Sequence, residues 1–475
     1  MTDSKLKRRM SPMDAFFLYS DSEESPMTIG FVGLFEGKVP IRTFRSRINS
    51  RLHLIPRYRQ VVVQTPFNLA MPTWEDDPAF DISNHVQQVR LGKRVSESEL
   101  IQYAEGCFEG RMDTSRPLWE IVLVPNVEGN RTGVICRVHH CMVDGVGGVG
   151  LMQVVFDVVP DPKPIRKRRY KPAPMPDKSL LLYDAIWDNA LEGIGHWTGF
   201  GAKFKTFTSG KSRENLIASL GEFAKQVSDL LSPSKRLPFN KPFNGARKFA
   251  FADLSFAEAR AIKSAVGGTI NDVALTTLAG AMSDYLERRG HNTLGEELAV
   301  ICPVNIREKH DDSVGNQISF LPVKVPLDVD DPLERFSLVR YRTKELKNAG
   351  VPEMVHLLFT ALQGLPAPMQ KAFLTGLSAS PYRNVIERLP QIPPGNLICT
   401  NVPGPQIPLY SCGQRLEKYY PILPLALEMG ISCGITSYAQ TLYFSFIGDG
   451  GCAPDIDVFR DSFRKSFEQL RGAAS

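Results

Sequence analysis

The sequence predicts a mixed α/β protein built as two domains, on three observations. The chain has 475 residues, enough to bury two sizeable cores. Runs with strand-like alternation are interleaved with runs of helical apolar periodicity, but without the regular βαβα succession of a single doubly wound sheet. A proline-rich, basic stretch separates the two mixed halves. The expected division is residues 1–160 as a first domain, 161–246 as a basic, proline-rich linker with a helical crossover, and 247–475 as a second domain.

In the first domain, residues 133–140 alternate as a strand, with Val134, Cys136, Val138 and His140 on one face and Ile135, Arg137 and His139 on the other. A glycine-rich turn follows, then an apolar helix from about Val149 to Val159. Pro160, Pro162, Pro164, Pro172, Pro174 and Pro176 forbid regular structure through the linker. Residues 179–231 read as helical, with Leu180, Ile186, Trp187 and Leu191 at repeating apolar positions; Trp187 and Trp197 fit either an interfacial helix or one packed on its own protein. The second domain opens with a strand from Phe249 to Leu254. Helices follow at Phe256–Val266 and Asn271–Arg289, then strands at 298–304, 317–325, 395–401, 430–438 and 441–447. A final helix carries Phe459, Phe463 and Phe467.

Composition narrows the function. With 43% hydrophobic and 23% charged residues the chain is of ordinary globular type. A net charge of +5 does not call for nucleic acid. The positive charge is nevertheless clustered, in Lys5, Lys7, Arg8 and Arg9 and again in Lys163, Arg166, Lys167, Arg168, Arg169 and Lys171. Such clusters are either solvated or attracted to anionic lipid or to coenzyme phosphates. The eight cysteines form no C-x-x-C pair and read as buried thiols of a reducing compartment. No zinc-type spacing of ligands is present, and no metal is expected. The first residues are charged, unlike a signal peptide, and no apolar run reaches the roughly 18 residues of a membrane span. Membrane contact is therefore expected to be peripheral, with the protein in the cytoplasm.

The chemistry is carried by His139-His140-Cys141-Met142-Val143-Asp144-Gly145, an H-H-x-x-x-D-G motif at the end of a strand. An imidazole with a reference pKa of about 6.5 can take a proton from a hydroxyl near neutral pH and so activate it for direct attack on a thioester, with no acyl-enzyme. The expected base is His140, His139 anchoring the strand. Asp144 is expected either to orient the imidazole or, the preferred reading, to form an ion pair that holds the loop, with Arg307 as candidate partner, and Gly145 closes the motif in the turn.

Two glycine motifs carry less. Gly145 to Gly150 fits G-x-G-x-x-G, but its helix runs into the linker rather than a second strand, so a dinucleotide site lacks its context. The glycines instead let the helix approach closely. Gly430-Ile431-Ser432-Cys433-Gly434 fits G-x-S-x-G, but a second strand follows it, which predicts a hairpin and not a nucleophile elbow.

Read together, these blocks resemble the bacterial wax ester synthase/diacylglycerol acyltransferase family. The resemblance covers nearly the whole chain: Ser11-Pro12-Met13-Asp14-Ala15-Phe16-Phe17, Pro72-Thr73-Trp74, Arg116-Pro117-Leu118-Trp119-Glu120, the H-H-x-x-x-D-G motif, Asn271-Asp272-Val273, Pro303-Val304-Asn305-Ile306-Arg307, Gly315-Asn316 and Asn401-Val402-Pro403-Gly404-Pro405. It implies two domains similar to chloramphenicol acetyltransferase and to condensation domains, with an active-site tunnel between them. It also implies transfer of a fatty acyl group from acyl-coenzyme A, a co-substrate and not a cofactor, to a long-chain alcohol or a diacylglycerol. On this resemblance Asn271 and Asp272 are expected in the substrate site, and Pro117, Leu118 and Trp119 shape or cover the tunnel; the plain alternatives are an N-cap and core packing. Lipid membranes or droplets are the expected surface. The competing expectations are an amide-forming condensation enzyme and a non-catalytic lipid-binding protein.

Overall fold

The computed structural model describes residues 8–143, 147–187, 234–305, 318–352, 355–356, 368–371 and 395–475. The strands in chain order are β1 (Thr28–Glu36), β2 (Gln60–Val63), β3 (Thr73–Asp76), β4 (Val86–Gln88), β5 (Trp119–Val127), β6 (Arg131–His139), β7 (Arg247–Ser255), β8 (Glu297–Asn305), β9 (Ile318–Pro326), β10 (Leu397–Pro403), β11 (Tyr410–Ser411), β12 (Gln414–Ile422), β13 (Ile431–Tyr438) and β14 (Thr441–Asp449). The helices that matter below are α1 (Pro12–Ser20), α2 (Ile41–Arg51), α3 (Glu97–Cys107), α4 (Gly147–Val155), α5 (Phe256–Val266), α6 (Ile270–Arg288), α7 (Pro332–Asn348) and α8 (Ile456–Ala473).

Two six-stranded mixed sheets form the frame, one in the order β11-β12-β1-β6-β5-β4 and the other β7-β14-β13-β10-β8-β9. The expected boundary at residue 247 does not divide them. β11 and β12 come from the second half of the chain, yet β12 pairs antiparallel with β1 in the first sheet. Residues 247–475 therefore do not make a self-contained domain, because β1 takes its second strand partner from this distant segment. Lys418 of β12 adds an ion pair to Glu97 at 3.0 Å.

Within the first sheet, β1 lies between β12 and β6, and β6 lies between β1 and β5. This central place explains a departure from the alternating pattern: Val134, Ile135, Cys136 and Val138 are all buried, on both faces of β6. At Gly30 of β1 an added Cβ would stand 1.8 Å from the Cys136 carbonyl oxygen, so β1 and β6 approach this closely only without a side chain there.

In the second half, α6 is buried from Asp272 through Ser283, which its nearly all-round small and apolar surface permits. It packs against α8, whose Phe459 and Phe463 face Phe444 and Phe446 of β14, with Phe467 buried in the same core. The G-x-S-x-G segment lies in β13, which forms an antiparallel hairpin with β14 as expected.

The linker has no helix or strand from Val158 to Pro176, and its basic residues are exposed. It is pinned in its middle: the Tyr170 hydroxyl donates toward the carbonyls of Arg59 and Asp77, each at 3.2 Å, and the Arg59 guanidinium lies 4.7 Å from its ring centre. Helical structure is described over residues 178–187; the rest of the expected crossover, with Trp197, lies outside the described residues. No described helix is long and apolar enough to cross a membrane. All eight cysteines are free thiols, six of them buried.

Candidate active site

The strand that leads into the motif stops one residue earlier than its alternation suggests. β6 ends at His139, and His140–Met142 form a single 3-10 turn. The His139 side chain caps that turn, its Nδ1 accepting the Cys141 N–H at 3.2 Å. The shared strand face therefore does not explain where His140 points; the turn does.

Helix α1 packs over this turn. Phe17 of α1 stacks on the His140 ring, with centroids 3.6 Å apart and planes 15° from parallel. The His140 backbone N–H donates to the Met27 carbonyl at 2.8 Å. Nδ1 of His140 is buried and has no hydrogen-bond partner among the described residues. Burial holds the imidazole down at about 4, and the neighbouring His139 pushes it the same way. At neutral pH the ring is therefore uncharged and can accept a proton.

His139 is buried, and its Nε2 lies 3.7 Å from Oδ1 of Asp21. The same oxygen accepts the Met27 N–H at 2.8 Å, and Oδ2 accepts from Nε of Arg111 at 2.7 Å. Burial raises the Asp21 carboxyl, but His139, Arg111 and the Met27 N–H outweigh it and hold it below the usual carboxylate range. Asp21 escaped the sequence reading. It lies 118 positions before His139 and belongs to no local pattern. Phe17 stood inside a quoted block, but nothing in that block assigns it to an imidazole.

The Pro117-Leu118-Trp119 segment is core. Leu118 and Trp119 are fully buried, and Trp119 donates from Nε1 to the Tyr58 carbonyl at 2.8 Å. His85 stacks on the indole at 4.8 Å between centroids, and its Nδ1 bonds to the Trp119 carbonyl at 2.9 Å. This segment packs in the core and is hydrogen-bonded to the end of the motif strand.

Asn271 and Asp272 stand in the first turn of α6, where Thr269, not Asn271, is the N-cap. Asp272 closes a capping box: its Oδ2 accepts from the Thr269 N–H and hydroxyl at 2.8 Å each, and its own N–H donates back to the Thr269 hydroxyl at 3.1 Å. Its Oδ2 serves the helix, while Oδ1 is buried with no hydrogen-bond partner among the described residues. Asn271 is half-buried. Asp144, Gly145 and Arg307 lie outside the described residues.

Helix α4, which follows the motif, is tied down at its far end. Arg51 of α2 points at the carbonyls of Gln153, Val154 and Phe156 at 3.3 to 3.5 Å and pairs with Asp157 at 2.7 Å. An added Cβ at Gly150 would stand 2.7 Å from Cγ2 of Ile55, in keeping with the close approach expected of this helix.

The two halves meet beside the motif. Thr28 pairs with His139 across β1 and β6, and it also lines a water-sized cavity of about 10 Å³ with Phe108 and Phe249. Glu105 of α3 accepts the Phe249 N–H at 2.8 Å across the same junction. The buried Cys141 thiol is held well above its usual range by burial, so it is not an activated nucleophile.

The wax ester synthase/diacylglycerol acyltransferase catalytic domain matches residues 10–274, and the C-terminal domain of the same family matches residues 314–471. The chain belongs to this family. Among relatives of the wax ester synthase/diacylglycerol acyltransferases, it is 27% identical over 448 residues to a probable diacylglycerol O-acyltransferase of Mycobacterium tuberculosis, tgs1, covering 93% of this chain and 90% of that one. A second such protein from the same species, tgs2, is 28% identical over 485 residues and covers 98% and 99%. The wax ester synthase/diacylglycerol acyltransferase of Marinobacter aquaeolei superposes with a TM-score of 0.66 at 22% identity, over 98% of this chain and 99% of that one. The starter condensation domain of rhizomide synthetase, solved with C8-CoA and Leu-SNAC, superposes with a TM-score of 0.55 at 14% identity, over 100% and 96%. These likenesses establish the condensation-domain-like α/β fold, and family membership establishes an acyltransferase.

Proposed function

We propose that this enzyme moves a fatty acyl group from acyl-coenzyme A to a diacylglycerol or a long-chain fatty alcohol, with His140 as general base. The observation that carries the reading is the His140 ring stacked on Phe17 in the first turn of the family's motif, where burial keeps the imidazole uncharged at neutral pH. With Nδ1 buried, Nε2 is the nitrogen assigned to the acceptor hydroxyl. Nε2 takes the hydroxyl proton as the oxygen attacks the thioester carbonyl. The tetrahedral intermediate then expels the coenzyme A thiolate, which recovers the proton from the imidazolium. His139 holds the turn, and Asp144 with Arg307 would brace the loop beyond it. Donor and acceptor would approach from opposite mouths of a tunnel between the two halves. Asn271 remains the candidate for a hydrogen bond to substrate.

A lipid surface is the proposed place of work. Leu180, Tyr183, Ile186 and Trp187 are exposed on the helix that follows the basic linker, with the Tyr183 and Trp187 rings 6.1 Å apart. The apolar face and the exposed Lys163–Lys171 cluster together suit an anionic membrane or droplet. Flotation with anionic vesicles at low and high salt tests this; no co-migration at low salt would refute it. The reaction is tested by thiol release from palmitoyl-coenzyme A with dioleoylglycerol or hexadecanol as separate acceptors. Acceptor-dependent release supports the reading and names the main product class, and release that ignores both acceptors overturns it.

A further inference from the structure

We propose that Asp21 is a positioning residue for acyl transfer, acting on the active-site turn through His139 and Met27. The inference rests on the reading of His140 as the base.

Three supports of the turn converge on this carboxylate. First, Nδ1 of His139 accepts the Cys141 N–H, so the neutral ring must carry its proton on Nε2, the nitrogen 3.7 Å from Asp21 Oδ1. At 3.7 Å the carboxylate makes no hydrogen bond to that nitrogen, but its negative charge favours the tautomer that caps the turn. Second, Asp21 accepts the Met27 N–H at 2.8 Å, while the Met27 carbonyl accepts the His140 N–H at 2.8 Å. One residue relays the position of the carboxylate to the backbone of the base. Third, Asp21 is the C-cap of α1, one turn beyond Phe17, whose ring fixes the His140 plane.

The helix itself gives no reason for an acid there. The C-terminal end of a helix carries partial negative charge and disfavours a carboxylate. The Asp21 side chain is 1% exposed, and its cation, Arg111, approaches from the more exposed side. The other charged or titratable groups about the turn are Glu23, which accepts from the Arg111 backbone, Asp14 of α1, Arg57 and the Cys141 thiol.

The test is steady-state kinetics across pH for the full chain carrying Asp21→Asn, Asp21→Ala, Arg111→Gln or His140→Ala. Asp21→Asn keeps an acceptor for Met27 and removes the negative charge. Its kcat should fall by about 10- to 100-fold, by analogy with the partners that orient metal-bound histidines, with little change in KM. The acid limb of kcat/KM should move to lower pH, because loss of the charge disfavours imidazolium. Arg111→Gln, at a half-exposed side chain, should move that limb to higher pH. A wild-type kcat and an unmoved limb in Asp21→Asn, with His140→Ala inactive, overturns this inference alone. Retained turnover in His140→Ala overturns the base assignment and the inference with it. If Asp21→Asn does not fold, an unmoved limb in Arg111→Gln decides against the inference.

Discussion

The backbone N–H of His139 donates to the carbonyl of Leu118 at 2.9 Å, which joins the last residue of the motif strand to the Pro117-Leu118-Trp119 segment. Two blocks that are separate in the sequence are therefore one piece of structure, and the second holds the first in place.

Trp119→Phe should destabilise the protein by about 1–3 kcal/mol, because it removes the buried hydrogen bond from the indole to the Tyr58 carbonyl. Leu118→Ala should cost about 2–5 kcal/mol as a large-to-small change in a closed core. Denaturant unfolding measures both. If these side chains lined a tunnel instead, acyl chain-length preference would change at little cost in stability.

Thr269→Val should weaken the N-terminus of α6 by about 0.5–2 kcal/mol and leave kcat near wild type. Asn271→Ala should do the reverse, lowering kcat/KM at nearly unchanged stability. Thermal melts beside kinetics separate the cap from the substrate contact.

Ser432→Ala should retain full activity. Ser432 pairs with Ile447 near the open end of the β13–β14 hairpin, and its hydroxyl is buried without a hydrogen-bond partner among the described residues. An inactive, folded variant would revive the nucleophile-elbow reading.

The depressed His140 predicts acid sensitivity. The native ring titrates at about 4 and the unfolded ring near 6.5. Between those values the unfolded chain holds a proton that the native chain lacks, so stability falls as pH drops through that window and this contribution levels off below about 4. Urea midpoints at pH 7 and pH 4.5 should differ less in His140→Gln than in wild type. An equal difference would show that His140 is not a source of the loss.

Much of the fold was legible because its signals are local. The α5 helix runs over Phe256–Val266 as its periodicity indicates, and the strands of the second sheet fall within two residues of their apolar runs at most boundaries. The β12–β1 pairing was not legible, since nothing in the residues from Leu416 to Ile422 says that their partners lie almost four hundred residues earlier. The site divides the same way. His139 and His140 announce themselves by type and spacing. The turn that sets the aim of His140 depends on a side-chain cap, and a period-two pattern carries no sign of one. Asp272 entered the expected site through the family resemblance, and its part in the helix cap is seen only in the Thr269 hydrogen bonds.

The central claim is that His140 activates the acceptor hydroxyl. The most direct measurement is acceptor-dependent thiol release from palmitoyl-coenzyme A by wild type and by a folded His140→Ala variant, with dioleoylglycerol and hexadecanol in parallel. The account predicts release in wild type that requires an acceptor and falls by about 10²- to 10⁴-fold in the variant. Wild-type turnover in His140→Ala would contradict it.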